Sequence, residues 1–143
     1  MQLVRAFNAG CNVVAIEKNH KKYAMTCAWA TMLDYDKVGL LIGSQSETGK
    51  VLEVGDICGI SALSHKQRDI ANLIGEHHSS EFDKFKNIKY SQDNSAIYID
   101  GAKVVLEVQV SEIHHFKGIE EDNFVIFKVI SYIEDAKKKF LSY

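Results

Sequence analysis

Short apolar runs separated by polar turns account for most of the chain. The most regular run covers residues 102–113, in which Leu106, Val108 and Val110 alternate with polar residues. Alternation with a period of two is typical of an antiparallel strand that is buried on one face. Other β-branched or apolar runs predict further strands over residues 12–17, 23–29, 37–43, 56–63, 95–100 and 123–133.

One stretch has the period of a helix instead. Ser64 is followed three residues later by Gln67, which is the spacing of a capping box, and Gly75 stands where a helix commonly ends. The apolar residues between them share one helical face: Ile70, Leu73 and Ile74. Residues 76–87 predict a second short helix or a loop. Six or seven strands around one or two helices indicate a mainly β protein, an antiparallel barrel with helical insertions.

Composition narrows the class of protein. The chain has 143 residues, so residues 1–143 are expected to form a single domain. A net charge of -2 offers no basic field to attract nucleic acid. No segment is apolar enough for a signal peptide or a membrane span, which leads us to expect a cytoplasmic protein without a membrane partner. The cysteines, with no C-x-x-C pair, are expected to be free buried thiols: Cys11, Cys27 and Cys58.

No motif assigns a metal site or a catalytic residue. Two histidine pairs occur, His77-His78 and His114-His115. Adjacent histidines on a strand point to opposite faces, and neither pair has the i, i+4 spacing of a helical zinc site, so no metal is expected. A nucleophile elbow is also missing from the sequence, so the catalytic residues stay unknown.

The stretch "LLIGSQSETGKVL" (residues 40–52) resembles a nucleotide-binding loop but departs from the P-loop. Five residues separate Gly43 from Gly49, and a valine follows Lys50 where the P-loop requires Ser or Thr. Turn amides together with the Ser46 and Thr48 hydroxyls can still form an anion-binding nest. The alternative interpretation is a solvated hairpin turn, and the stretch alone leaves both open.

A second candidate segment is "YAMTCAWATML" (residues 23–33). Its small residues would let a flat ligand approach the backbone closely, and Trp29 could cover one face of an aromatic ring. The alternative is that Trp29 belongs to the core and that the small residues only allow tight packing.

Four stretches in this order resemble the flavin reductase-like family, the FMN-binding split barrels that include flavoredoxin. "AMTCAWATMLDYDKVGLLIG" is similar to the family's Met-Thr-x-Ser/Ala segment, its Asp-Pro-Pro and the following strand. "SETGKVLEVGD" resembles the Ser-x-Thr loop, and "ISALSHKQRDIANLIG" the Val-Asn-Val-Leu-Ser-x-x-Gln run. "AKVVLEVQV" resembles the strand before the family's Gly-Asp-His.

The resemblance implies a six-stranded antiparallel Greek-key split β-barrel with one or two helical insertions. It also implies a homodimer with FMN near the subunit interface. The family's Met-Thr-x-Ser/Ala segment lies along the isoalloxazine, a role that falls here to Thr26, Cys27, Ala28 and Trp29. The Ser-x-Thr loop cradles the flavin phosphate, which implies as cofactor-binding residues Ser46 and Thr48, with Gln45 and Lys50 nearby.

The implied function is NAD(P)H-dependent reduction of FMN followed by electron transfer, for which a redox protein is a candidate partner. The sequence departs from the family at Asp34-Tyr35-Asp36, which replaces Asp-Pro-Pro, and at Glu121-Asp122-Asn123, which replaces Gly-Asp-His. The missing histidine belongs to the nicotinamide side of the family's site. Two alternatives therefore stay open: a flavoredoxin-type FMN carrier without its own nicotinamide site, and a cofactor-free split-barrel interaction module.

Overall fold

The computed structural model describes residue 2 and residues 4–44, 46–76, 83–119 and 121–143. These residues form nine strands and two helices. In chain order they are β1 Asn12–Lys18, β2 Lys21–Cys27, β3 Ala30–Asp34, β4 Lys37–Gly43, α1 Glu47–Val51, β5 Ile57–Ala62, α2 Arg68–Glu76, β6 Tyr90–Asp93, β7 Ala96–Ile99, β8 Val104–His114 and β9 Asp122–Glu134.

All strand pairs within the described residues are antiparallel and belong to one sheet. Its order is β3-β4-β9-β8-β5-β1-β7-β6, and β2 pairs with β1 alone. The β1–β2 hairpin turns at Asn19 and His20, both with positive φ. Asparagine and histidine are among the residues that adopt this conformation most readily, which explains the turn. The candidate site lies along the edge of β2 that faces away from β1.

The prediction of a mainly β, antiparallel fold with one or two helices is confirmed. The described sheet has nine strands where the resemblance implied six. The apolar runs predicted seven of them, and the two that they missed are β3 and β6. Every residue of β3 is exposed, and β6 is exposed apart from the half-buried Tyr90. Such strands lack the apolar alternation from which the others were predicted. The sequence predicted a strand over residues 23–29, but β2 ends at Cys27, so Trp29 lies outside the observed strand.

Successive side chains of β1 point to opposite faces of the strand and pack in two separate cores. Val14 and Ile16 pack in one cluster with residues of β4, β5, β8 and β9. Val13 and Ala15 pack in the other, together with residues of α2 and of the segment 83–88. Both faces of β1 are therefore buried, which agrees with its continuous apolar sequence.

Helix α2 confirms the predicted helix but not its predicted end. The side-chain Oε1 of Gln67 accepts a hydrogen bond from the Ser64 amide at 2.9 Å, as in a capping box. The prediction that Gly75 ends the helix is wrong, because α2 continues to Glu76. A Cβ at position 75 would lie 3.5 Å from the Thr26 side chain, so glycine here lets α2 pack closely against β2. The prediction for residues 76–87 and the pair His77-His78 fall largely outside the described residues.

Candidate functional site

Residues Glu47–Val51 form a short helix, α1, so the alternative interpretation of this stretch as a hairpin turn is wrong. Ser46 caps this helix: its Oγ accepts a hydrogen bond from the Gly49 amide at 2.8 Å and donates one to the Gly43 carbonyl at 2.7 Å. A Cβ at Gly49 would lie 2.2 Å from the same Gly43 oxygen. The cap and this close approach allow five residues to form a helix that their β-branched sequence did not indicate.

Thr48 carries an unsatisfied hydroxyl group. The residue is 1% exposed, and its Oγ1 has no hydrogen-bond partner among the described residues. A buried polar atom without a partner costs about 1–3 kcal/mol, which a ligand that supplies the missing hydrogen bond would recover. Thr48 and Ser46 line a cavity of about 140 Å³, which we call the inner cavity.

Lys84 lies in the wall of the inner cavity, and the sequence offered no signal for it. The residue is 5% exposed, and its Nζ donates a hydrogen bond to the Ala24 carbonyl of β2 at 2.7 Å. Burial lowers the pKa of this lysine to about 8. Two acidic residues, Glu47 of α1 and Glu76 of α2, line the same cavity. In the sequence, nothing distinguishes Lys84 from its neighbours Lys86 and Lys89.

The last residues of β2 divide between the core and the site. Cys27 is buried, and its Sγ donates to the carbonyls of Trp29 and Leu41. Burial raises the pKa of this thiol to about 11, so it stays protonated at neutral pH. Thr26 points the other way: its hydroxyl donates to the Ala71 carbonyl of α2 at 2.9 Å, and the residue lines the inner cavity. Cys27 can therefore meet a ligand only through its backbone.

After β2, the chain continues through Ala28 and Trp29, which are more exposed than Cys27. Trp29 is 58% exposed and is not a core residue, so the core interpretation of its side chain is wrong. Both residues line a cavity of about 600 Å³, the outer cavity, together with residues from the two ends of the chain, including Arg5, Phe7 and Tyr143.

A third cavity, the middle cavity, shares lining residues with both. It has a volume of about 250 Å³ and is lined by residues that include Thr26, Arg68, Gly75 and Tyr143. Thr26 and Gly75 also line the inner cavity, and Tyr143 also lines the outer cavity. We call the three cavities together the groove; its inner and middle parts are lined by residues of β2 and α2, and its outer part by the chain that follows β2 and by the two ends of the chain.

Two positions that the sequence singled out, Lys50 and Asn123, do not line the inner cavity, and a third, Gln45, is not described. The side chain of Lys50 is 56% exposed, faces Glu47 at 3.6 Å, and does not line the inner cavity. Asn123 is buried, and its Nδ2 contacts the Gly49 carbonyl at 3.5 Å, so it supports α1 from below. Gln45 lies outside the described residues, and its predicted role is not tested.

The remaining polar groups do not form a metal site. The described residues contain no group of three or more His, Cys, Asp or Glu side chains that could hold a metal ion. His114 instead lies 2.9 Å from Glu112 through its Nε2 and stacks on Phe116 at 5.7 Å between ring centroids. Within the described part of the chain, no helix has the length and apolar character needed to cross a membrane.

Comparison with protein families assigns this chain to a known family. The sequence model of the flavin reductase like domain matches residues 4–143. The chain therefore belongs to the flavin reductase-like family. Comparison with curated protein sequences finds no significant match.

Solved structures share the fold at low sequence identity. The NADH:FAD oxidoreductase of Streptomyces globisporus, in complex with NAD and FAD fragments, has a TM-score of 0.80 and 17% identity over 96% of this chain and 81% of that one. An FMN-binding protein from Thermus thermophilus with bound p-hydroxybenzaldehyde has a TM-score of 0.81 and 19% identity over 96% and 83%. Flavoredoxin from Methanosarcina acetivorans has a TM-score of 0.80 and 14% identity over 94% and 73%.

Proposed function

We propose that this protein binds FMN in the groove and catalyses NAD(P)H-dependent flavin reduction and electron transfer. The observation that carries the proposal is that the three cavities share lining residues from one end of the groove to the other. The groove runs from the unpartnered Thr48 hydroxyl, past Thr26, to the exposed ring of Trp29. A polar inner end and an aromatic outer end match a ligand with a phosphate at one end and a flat ring at the other.

The residues present suit FMN. Thr48 and Ser46 would hold the phosphate, and Thr26 would lie beside the ribityl chain. The backbone of Cys27 and Ala28 would hydrogen-bond the ring, with Trp29 against one of its faces. The sequence contains no adenylate fingerprint, which favours FMN over FAD.

A bound flavin supplies the hydride and electron transfer chemistry, and the protein supplies its position and electrostatic environment. The Cys27 thiol is buried with a raised pKa, so it does not serve as a nucleophile at neutral pH. Cys11, Cys27 and Cys58 are all free and buried, which is typical of a reducing compartment and supports a cytoplasmic setting.

A second candidate function is an FMN carrier that exchanges electrons with a redox protein and has no nicotinamide site. Asn123 favours this alternative. It occupies the place of the family's histidine in the sequence pattern, yet it is buried beneath α1. A side chain in that position is not available to contact a nicotinamide at the surface.

One experiment separates these functions. The purified protein is examined for flavin absorption, the cofactor is released by heat and identified by chromatography, and oxidation of NADH and of NADPH is followed at 340 nm. Bound FMN with NAD(P)H oxidation is the expected result. Bound FMN without oxidation would select the carrier. A protein that binds no flavin, even when FMN is added, would contradict both and favour the interaction module.

We further propose that the protein is a homodimer. Strand β3 is the last strand at one end of the sheet order and is exposed along its length. It carries Met32 and Leu33, which are large and apolar, and such an edge is normally covered by a partner surface. A second copy on β3 would lie beside Trp29 and the outer cavity.

A further inference from the structure

We propose that Lys84 is the cation that binds the flavin phosphate and makes the groove select a phosphorylated flavin. This inference rests on the proposed FMN binding and names a residue that the sequence pattern does not assign to the cofactor. The motif favoured Lys50, which is exposed and faces Glu47. Lys84 instead shares the inner cavity with Thr48 and Ser46.

The free hydrogen-bonding capacity of the inner cavity fits a phosphate. A lysine ammonium has three donors, and among the described residues only the Ala24 carbonyl accepts one from Lys84. The Thr48 hydroxyl is a further buried donor without a partner there. The cavity holds about 140 Å³, well above the roughly 10–15 Å³ that a single water needs. The free donors of Lys84 and Thr48, around a space of this size, suit a ligand with several acceptor oxygens.

The charges around the cavity explain why a cation is needed. Glu47 and Glu76 line it from the two helices, and both would repel a phosphate. Met25 and Thr26, which line it from β2, carry no charge, and the Asp83 carboxylate beside Lys84 accepts a hydrogen bond from the Phe85 amide. Lys84 is thus the one cationic side chain that lines the cavity among the described residues. Because it is withdrawn from solvent, its attraction to a phosphate is screened less than that of a surface lysine.

The direct test compares two ligands that differ only in the phosphate. FMN and riboflavin dissociation constants are measured by fluorescence for the unmodified protein, for Lys84→Met and for Lys86→Met, an exposed control two residues away. Lys84→Met should weaken FMN about 10- to 100-fold and riboflavin less than about twofold, since a hydrogen bond to a charged group is lost. The control should change neither. Equal weakening of both ligands, or no weakening of FMN, would overturn the proposal.

A pH series provides a second readout that a structural role would not produce. Only the protonated lysine attracts the phosphate, and the pKa of Lys84 in the free protein is about 8. Above pH 8 the affinity for FMN should fall by up to about tenfold per pH unit, because binding must then take up a proton. A phosphate monoester, whose second pKa is about 6, does not change charge in that range. Riboflavin binding to the same protein, and FMN binding to Lys84→Met, should lack this component.

Lys84→Arg covers the case in which Lys84→Met does not fold. Arginine keeps its charge up to about pH 12, so this variant should retain the preference for FMN and lose the fall above pH 8. A fall that persists in Lys84→Arg would contradict the proposal. If the unmodified protein binds neither ligand, the proposed function itself fails. If it binds FMN but Lys84→Met behaves like the control, only the role of Lys84 is wrong.

Discussion

The two ends of the groove are built in opposite ways. At the inner end, polar groups are withdrawn from solvent: the Thr48 hydroxyl has no partner in the described part of the chain, and the Lys84 ammonium is buried against β2. At the outer end, the large side chains are aromatic and exposed: Phe7, Trp29 and Tyr143. One end has polar groups buried before any ligand arrives, and the other has apolar surface still in contact with water.

This difference indicates how each end would contribute to binding. Buried donors discriminate strongly, because a ligand that lacks the matching acceptor leaves them unpaired. An exposed aromatic wall gains mainly from area and stacking, which depend little on the substituents of a flavin. Substitutions at the inner end should therefore separate FMN from riboflavin, whereas substitutions at the outer end should affect both ligands alike.

The largest effect in this comparison is expected for Thr48→Ala. Loss of a hydrogen bond to a charged phosphate, worth roughly 1.5–3 kcal/mol, should weaken FMN about 10- to 150-fold. Riboflavin should be nearly indifferent, and titration of both ligands measures the contrast. Thr48→Ser keeps the hydroxyl and should keep most of the FMN affinity. Equal loss of both ligands would mean that the substitution disturbs the fold, and no loss of either would mean that α1 has no role in binding.

A smaller effect, shared by both ligands, is expected for Trp29→Ala. A stacked aromatic pair contributes about 0.5–1.5 kcal/mol, so FMN and riboflavin should each weaken about 2- to 13-fold. The control Trp29→Phe retains an aromatic face and should lose less. A change confined to FMN would place the phosphate, and not the ring, at this end of the groove, and would reverse the proposed orientation of the cofactor.

The smallest effect on affinity is expected from Met32→Asp, which acts on the proposed dimer. The unmodified protein should give about twice the chain mass of 16.1 kDa in light scattering. A charge on the exposed face of β3 should shift it towards a monomer, because burying an unpaired charge in an interface is costly. Both flavins should weaken slightly and equally in the monomer. Val54→Asp changes an equally exposed apolar residue of a turn and should leave the mass unchanged. A monomeric unmodified protein would contradict the dimer.

The strands were predictable where one period dominates the sequence. Val108 and Val110 alternate with polar residues, and both are buried as the pattern predicts. Strand β3 was missed because all its side chains are exposed, and its pairing with β4 carries no signature in its own sequence. Helix α1 was missed because its stability comes from the Ser46 cap and from the contact between Gly49 and Gly43. Both features depend on where the end of β4 lies.

The candidate site was predictable only in part. The resemblance to a family indicated the segment 26–29 and the positions Ser46 and Thr48, and all of these except the buried Cys27 line the groove. It did not indicate which lysine lies beside them. The motif contains Lys50, but the i, i+3 geometry of α1 turns that side chain towards Glu47 and solvent. Lys84 is distant in sequence from both candidate segments, so local spacing could not connect it to either.

The sequence by itself determined the strand pattern, the antiparallel class and the family, because these depend on periodicity and on short motifs in a fixed order. Only the tertiary structure decided which polar groups lose their water. Lys84 is buried because the segment 83–88 packs into the second core beside α2 and β2, where Phe85 and Ile88 are buried. Thr48 is buried because the end of β4 holds α1 in place through Ser46 and Gly49. The pKa of a lysine and the cost of an unpaired hydroxyl are set by neighbours that come from distant parts of the chain.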